Sequence, residues 1–570
     1  MTGLVHLRAT KKLYLIAAIG FVITTFVSNA SAVEKSNVVY EVFVRSFADG
    51  DNDSNGVGDL KGLLSRLDYL NDGDPNTHGD LGVGILWLMP IFPSPTYHGY
   101  DVTNYKAVNP DYGTMEDFKN LIIEAHKRGM RILLDVPFNH TSNQHEWFLT
   151  ALNAPTSPYR NYYRIEPKGD DCKPSWHAVT TDAGDSLCYL GVFDKTMPDL
   201  DYDNPKVRQE IKAIAKYWLD LGVDGFRLDA AKHIYGDSLD TILEQDILRT
   251  NDWWSEFSRF VYTHKPKALL VGEVLGNEGT LRRYTWGLDG LVDEPFMNGF
   301  RDDLRRPATG FVARYKEALT AARELNVTAY KPSFPFPDQT FQFYPYLASH
   351  DRNPRLNSDL EQMHAEGQIK DIDGSYRIAM YALLTLGVRP IIYQGDEVMQ
   401  KGWKWDGKSD GSGIWDETLR EPFPWYTSGT GSAQTKWFQP KFDKPNDGVS
   451  KEEQEQSGGM LDLVRALIQL RSAHPALASG DIGTILTDTA DWMVFERVQG
   501  QTRYLVVINR TDHQLDYHFH QQWYPQYMNA KRIFVSDGLS KQWTDFTKQN
   551  QSIQSSVGVP PYGLAVLRKK

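Results

Sequence analysis

The sequence predicts an α/β fold: a (β/α)8 TIM barrel with a subdomain inserted after the third strand and a C-terminal antiparallel β-sandwich domain. Three observations carry this expectation. Short, β-rich apolar runs alternate with amphipathic helical segments from about Val39 to about Ala478, the pattern of parallel β/α units. The alternation fails from Thr141 to about Tyr202, a stretch rich in Asp, Pro, Tyr and Ser that holds both cysteines. After about Ser479 the helical pattern gives way to hairpins. An open doubly wound sheet is the other arrangement that alternating strands and helices allow, but eight strands close most economically into a barrel.

In chain order, Lys11 and Lys12 precede the apolar run Leu13 to Val27 and the small-residue site Ala30-Ser31-Ala32, which together read as a signal peptide over residues 1–32. The run is short for a bilayer span, so export is expected rather than anchoring. The first part of the barrel is assigned to residues 33–140, the inserted subdomain to 141–202, the rest of the barrel to 203–478 and the sandwich to 479–570. Strands are expected at Val39 to Val44, Gly84 to Met89, Arg131 to Asp135, Gly225 to Asp229 and Ala268 to Glu273, then near Tyr344 to Ser349 and Pro390 to Tyr393. A weaker one near Gly290 to Asp293 makes eight. Between them, Phe118, Leu121, Ile122 and Ala125, and again Val207, Ile211, Ile214, Ala215 and Trp218, repeat at helical spacing and mark helices with one buried face. Met493 to Val498 and Arg503 to Ile508, joined through Gly500, form a hairpin of the last domain.

A net charge of −12 argues against nucleic acid or anionic lipid as partner, because both need basic surfaces to neutralise phosphate. Neutral ligands remain, and an aromatic content of 12% suits sugars, whose C–H faces stack on rings. No later segment reaches membrane-spanning length, and a monomer is expected. In an exported protein Cys172 and Cys188 are expected to pair as a disulfide, worth roughly 3 kcal/mol in the chain-entropy description.

Four polar clusters fall where predicted strands end: Asp135-Val136-Pro137-Phe138-Asn139-His140, Gly225 to His233, Gly272-Glu273-Val274 and Ser349-His350-Asp351. In a barrel those ends share one face, where carboxylates converge on a pocket. One carboxylate at such a position is equally well a helix cap, but three accompanied by Arg227, His140 and His350 are harder to explain that way. Glycosidic cleavage needs one carboxylic acid to protonate the leaving oxygen and a second carboxylate to attack the anomeric carbon, roughly 5–5.5 Å apart in retaining enzymes. Asp229 and Glu273, ending neighbouring strands, can supply that pair. Arg227 lies two residues before Asp229 on the same side of its strand and can hold the aspartate ionised, while like-charge repulsion keeps Glu273 partly protonated.

These clusters resemble the α-amylase superfamily of glycoside hydrolases, in order and approximate spacing, from about Val39 to the C-terminus, with Met197-Pro198-Asp199-Leu200-Asp201 in the insertion adding to the match. The resemblance implies Asp229 as nucleophile, Glu273 as general acid/base and Asp351 as the third carboxylate, which grips the sugar hydroxyls. It places Arg227, His140 and His350 around the reacting sugar, Tyr100 as an aromatic platform beneath it and His98 as a further polar contact. Lys232 and His233, directly after the fourth strand, resemble α-amylase residues that contact glucose units on the leaving-group side. Two positions depart from the family pattern: Tyr346-Leu347-Ala348-Ser349 precedes His350 where many members have Asn, and Arg352 follows Asp351. Neither removes a catalytic group.

Two calcium sites are expected. Asp51, Asp53, Asn55, the Val57 carbonyl and Asp59 space oxygen ligands at alternate positions around a glycine turn, as a loop for a hard cation does, and resemble the calcium loop of the oligo-1,6-glucosidase branch. Asn139, Asp199 and the His233 carbonyl resemble the α-amylase site that ties the insertion to the barrel. The functional expectation is hydrolysis of internal α-1,4 bonds of starch-like α-glucans, with a neopullulanase, cyclomaltodextrinase or α-glucosidase activity, and transglycosylation, as the alternative. A catalytically silent relative would lack one of the three carboxylates, all of which are present. An aldolase-type barrel would call for a Schiff-base lysine or a late phosphate-binding glycine loop, and Lys232 stands beside better-placed carboxylates.

Overall fold

The computed structural model describes residues 36–570 apart from 52, 308–309, 331–340, 408–411, 457, 520–523, 539–541, 546–552, 554 and 570. The expected signal peptide lies outside the described residues. Eight parallel strands form one sheet: β1 (Val39–Val42), β2 (Ile85–Leu88), β3 (Arg131–Val136), β4 (Gly225–Leu228), β5 (Leu269–Gly272), β6 (Gly290–Asp293), β7 (Gln342–Pro345) and β8 (Ile391–Tyr393). Their order is β7-β6-β5-β4-β3-β2-β1-β8, with β1 paired to both β2 and β8, so the sheet curls into a nearly closed barrel. The seventh strand is displaced from its expected position: it ends at Pro345, and Tyr346 to Asp351 form an irregular connection. Apolar residues in that connection are buried by the barrel mouth rather than by strand pairing, which is why they read as strand.

The helices form where capping and apolar spacing coincide. Thr114 and Asp117 make a reciprocal capping box at the start of helix Met115–Lys127, whose Phe118, Leu121, Ile122 and Ala125 are buried. Asn204 caps helix Pro205–Leu221, Pro205 opens it, and left-handed Gly222 closes it. Gly225 is required where β4 meets β5, because a Cβ there would lie 2.1 Å from the Leu269 carbonyl oxygen.

Strand alternation divides the barrel into two compartments. Val39, Ile85, Leu133, Leu269, Val271, Val292, Tyr344 and Ile391 pack together inside, while Tyr40, Leu86, Ile132, Leu134, Phe226 and Leu270 face the surrounding helices. Continuing the inward phase, Glu41, Asp135 and Arg227 replace aliphatic residues, so the inner layer turns from apolar to charged toward the strands' C-terminal ends.

At the opposite end Asp224 ties three strands together. Its backbone N–H bonds to Ile132 O at 2.8 Å, its backbone oxygen accepts from Leu269 N at 3.0 Å, and its carboxylate accepts from Ile132 N at 3.0 Å. The same carboxylate contacts Lys265 Nζ and His126 Nε2, each at 2.7 Å.

Within the insertion, strands Ile165–Pro167, Trp176–Thr180 and Ser186–Leu190 form an antiparallel sheet, and Cys172 and Cys188 form a disulfide with Cα atoms 5.8 Å apart. At the C-terminus a six-stranded antiparallel sheet, Asp481–Asp488 through Leu564–Arg568, faces a small sheet of Leu515–His518 and Ser556–Val559. Val494, Leu505 and Val507 pack between these sheets, while Met493, Phe495, Val506 and Ile508 join the main core, so the larger sheet is buried on both faces. Arg497 reaches from it to the Thr385 and Leu386 carbonyls that end helix Ile372–Leu386. Among the described residues no helix is long and apolar enough to cross a membrane.

Burial alone would raise Asp224, but the His126 hydrogen bond and the Lys265 ammonium hold its carboxyl down at about 2. A carboxylate depressed on folding contributes stability above its unfolded pKa and loses it as pH falls through the folded one. Asp224→Asn is therefore expected to cost about 2 kcal/mol at neutral pH. The melting-temperature gap to the parent should hold down to about pH 5 and shrink below about pH 4; a gap independent of pH refutes this role.

Candidate active site

A pocket opens at the C-terminal ends of the strands, lined by Glu41, Trp87, Arg227, Glu273, Val292, Tyr346, His350, Asp351 and Arg352. Arg227 organises it. Its Nη1 lies 2.8 Å from Asp135 Oδ1 and 2.5 Å from Asp229 Oδ1, and its Nη2 lies 3.0 Å from Glu273 Oε1. One guanidinium thus spans the two carboxylates at the ends of β4 and β5. Its planar fork and the rings of Trp87 and Tyr100, 5.2 and 6.0 Å from Cζ, hold it in one orientation.

The turn after Asp229 is held in an unusual conformation. Ala230 has φ +50°, the left-handed region that residues with a Cβ seldom enter, and its N–H donates to Glu273 Oε2 at 3.0 Å. Glu273 is therefore fixed through both oxygens.

Burial pushes the Asp229 carboxyl well above the ordinary carboxylate range, with the Glu273 and Asp135 charges adding and Arg227 opposing. Arg227 is the largest charge acting against that rise, in the direction the sequence reading expected. At Asp351 burial acts in the same direction, yet His350, Arg420 and Arg227 hold that carboxyl well below its ordinary value. The Asp351 side chain is 37% exposed against 12% for Asp229, so Asp351 is the carboxylate presented most openly to a ligand.

The remaining sequence-predicted residues gather around this centre. Tyr100 donates to Asp135 Oδ2 at 3.1 Å, and its ring stacks on His350 at 5.6 Å. His140 is buried, within 3.1 Å of the Tyr100 carbonyl, and burial pushes it down to about 4, so it is neutral at ordinary pH. His98 accepts from the Tyr100 N–H at 3.1 Å. Lys232 donates to the Leu275 carbonyl at 3.0 Å, bracing the segment that follows Glu273. His233, pushed down to about 3 by burial and by Lys232, meets the insertion's Phe193 edge-on at 5.2 Å.

Several contributors escaped the sequence reading. Arg420, in the long connection after β8, lies 2.9 Å from Asp351 Oδ1 and 2.9 Å from Asp416 Oδ2, and Asp416 also accepts from Tyr97. Arg352, noted only as a departure from pattern, pairs with Glu294 at 3.1 Å and lines the pocket. Trp87 braces Asp135 through an indole N–H bond of 3.0 Å. Glu41 did carry a local signal, a charge at an inward-facing strand position; Arg420 carried none.

The metal candidates are partly assembled. Carboxylate oxygens of Asp49, Asp51 and Asp59 lie within 4.8 Å of one another, a donor set that fits a hard cation. Asp49 was not foreseen. Asp53 and Asn55 are engaged within the loop, Asp53 accepting from Asn55 N at 2.9 Å and Asn55 Oδ1 from Val57 N at 2.5 Å. In the second set, Asn139 Nδ2 donates to Asp199 Oδ1 at 3.3 Å. Burial pushes Asp199 up to about 7, the mark of a carboxylate short of positive charge. His233 lies on the turn after β4.

The family model described as the α-amylase catalytic domain matches residues 41–480. Alpha-amylase 3 of Dictyoglomus thermophilum is 35% identical over 499 residues, 86% of this chain and 88% of that one. A 4-alpha-glucanotransferase of Thermotoga neapolitana is 31% identical over 428 residues, 73% and 82% of the two chains. The crystal structure of the α-amylase from H. orenii superposes with a TM-score of 0.75 at 34% identity, covering 94% of this chain and all of that one.

Removing a cation would leave the Asp49, Asp51 and Asp59 carboxylates in mutual repulsion. Chelation is expected to lower the melting temperature by several degrees and calcium to restore it, with a smaller chelator effect in Asp51→Asn. An identical melt in excess chelator, with no calcium found by metal analysis, overturns the assignment.

Proposed function

The chain belongs to the α-amylase family of glycoside hydrolases, and on that premise we propose that it cleaves internal α-1,4-glucosidic bonds of starch-like glucans by a retaining double displacement. The observation that carries the mechanism is Arg227 in contact with both Asp229 and Glu273. A single guanidinium in contact with both holds the two carboxylates together at neighbouring strand ends, an arrangement compatible with the separation of roughly 5–5.5 Å in retaining enzymes.

In this reading Glu273 gives its proton to the leaving glycosidic oxygen as Asp229 attacks the anomeric carbon. The C–O bond to the leaving sugar breaks and a glycosyl ester forms on Asp229. Water then enters, Glu273 takes its proton, and the ester bond breaks with retention. As bond breaking makes the sugar ring cationic, Asp229, Asp351 and Asp135 gather negative charge near it, while Arg227 balances the same carboxylates in the resting site. Asp351, held ionised by His350 and Arg420, is placed to accept from sugar hydroxyls. Calcium, when bound, supplies structural charge compensation, with Asp49, Asp51 and Asp59 as one set of holders and Asn139, Asp199 and the His233 carbonyl as the other.

Internal cleavage needs sugar contacts on the leaving-group side. Lys232 and His233 stand next to Glu273's strand end, and Phe193 remains 38% exposed beside His233, an apolar ring for a sugar face. Export is part of the same proposal, supported by Lys11 and Lys12 ahead of the apolar N-terminal segment and by the Cys172–Cys188 bond. The 4-alpha-glucanotransferase similarity keeps a transfer activity in view, with a second sugar replacing water at the glycosyl ester.

Proton NMR of the first product from an α-linked substrate is expected to show the α-anomer; an initial β-anomer defeats the assignment of Asp229. Asp229→Asn should fold normally and retain well under about one-hundredth of parental turnover. Digestion of end-blocked maltoheptaoside and isomaltose in parallel tests the bond preference. Rapid internal cleavage of the first with little attack on the second is expected, and the reverse pattern overturns the endo-α-1,4 reading.

A further inference from the structure

Glu41, on β1, faces the pocket from below and takes no part in the chemistry just described. It is fully buried, and its Oε1 accepts from His350 Nδ1. The other ring nitrogen, Nε2, lies 2.7 Å from the Tyr100 hydroxyl and 3.2 Å from Asp351 Oδ2. Tyr100 has one proton, and it is directed to Asp135 Oδ2, so the phenol oxygen can only accept from His350. Carboxylates accept likewise. Acceptors therefore stand at both ring nitrogens, and a neutral imidazole, with a single N–H, can satisfy only one of them.

We propose that Glu41 is a positioning residue that fixes His350 as an imidazolium, so that the pocket presents a permanent positive charge and N–H donor beside Asp351. This rests on the reading above for its catalytic consequence, but not for the protonation state itself. The groups around His350 come from several elements: Glu41 on β1, Trp87 on β2 and Tyr100 after it, Asp135 on β3, Asp351 on its own loop and Arg420 after β8, with Arg227 on β4 acting on Asp351. Burial would lower its pKa, but Asp351 and Glu41 together push it up to about 10. A pKa raised on folding gives stability that is complete below the unfolded value, about 6.5, and is lost as pH rises through the folded one.

Glu41→Gln tests the idea because the amide keeps an acceptor oxygen for Nδ1–H and removes only the charge. The ratio of variant to parental kcat/KM is expected to fall at least about tenfold between about pH 5.5 and about pH 9, as His350 in the variant begins to deprotonate. Taking the ratio cancels ionisations common to both proteins. Glu41→Asp, which restores the charge, should recover most of the loss at the alkaline end. Nitrogen-15 spectra of histidine-labelled protein, with His350 assigned by its disappearance in His350→Asn, should show an imidazolium in the parent up to about pH 9 and a titration at lower pH in Glu41→Gln. The melting-temperature gap between parent and Glu41→Gln should be widest below about pH 6.5 and narrow toward about pH 10. A variant-to-parent ratio independent of pH would mean a purely structural role and overturns the proposal, as does a neutral His350 in the parent at pH 7. If Glu41→Gln fails to fold, the parental titration decides alone. An imidazolium in a protein without α-1,4 hydrolysis would overturn only the proposed function.

Discussion

The buried guanidinium of Arg227 is the constraint on which the site depends. Asp135, Asp229 and Glu273 all make contact with it in a barrel mouth from which water is largely excluded, and among the described residues it is the one cation that all three carboxyl groups share. Burying a charge costs several kcal/mol unless it is paired and hydrogen-bonded, so the four side chains stabilise one another only as a set. The same bonds hold the carboxylates of two neighbouring strands close to one guanidinium. Charge compensation and catalytic geometry are thus one arrangement.

The cluster depends in turn on the pleat of the strands beneath it. Arg227 can point inward because Gly225, two residues earlier on β4, leaves room for β5 to approach, and because Asp135 is its register partner across the β3–β4 ladder. A slip of one residue would turn Arg227 toward the helices and Phe226 into the pocket. Asp224 resists such a slip by joining β3, β4 and β5 at the other end of the barrel. The strands' aliphatic lower layer keeps that end dry, and their charged upper layer meets substrate.

Outside the barrel, the insertion and the sandwich contribute in different ways. The insertion supplies Asp199 and Phe193 beside Asn139 and His233, bringing a carboxylate and a ring to the rim of the cleft. Among the described residues the sandwich gives no side chain to the pocket lining. Its larger sheet covers the helix Ile372–Leu386 and caps that helix's last carbonyls through Arg497, protecting the β7–β8 side of the barrel. His350, Asp351 and Arg420 all belong to the connections on that side.

The sequence by itself determined the strands, the helices and the convergence of Asp229, Glu273 and Asp351 on one face, because apolar periodicity, caps and strand-end carboxylates are local patterns. It also made Arg227 legible, since two residues along a strand return to the same side. It did not reveal that the seventh strand stops at Pro345, because burial in the barrel mouth selects the same apolar residues as burial in a sheet. The tertiary structure alone decided the partners of those charges. Glu41 meets His350 across 309 positions, and Arg420 meets Asp351 across 69. No spacing rule links residues so far apart; only closure of β1 against β2 and β8, and the fold of the last connection over the mouth, set which charges face one another. Protonation follows from that pairing, which is why His350 reads as an ordinary histidine in the chain and as an imidazolium in the fold.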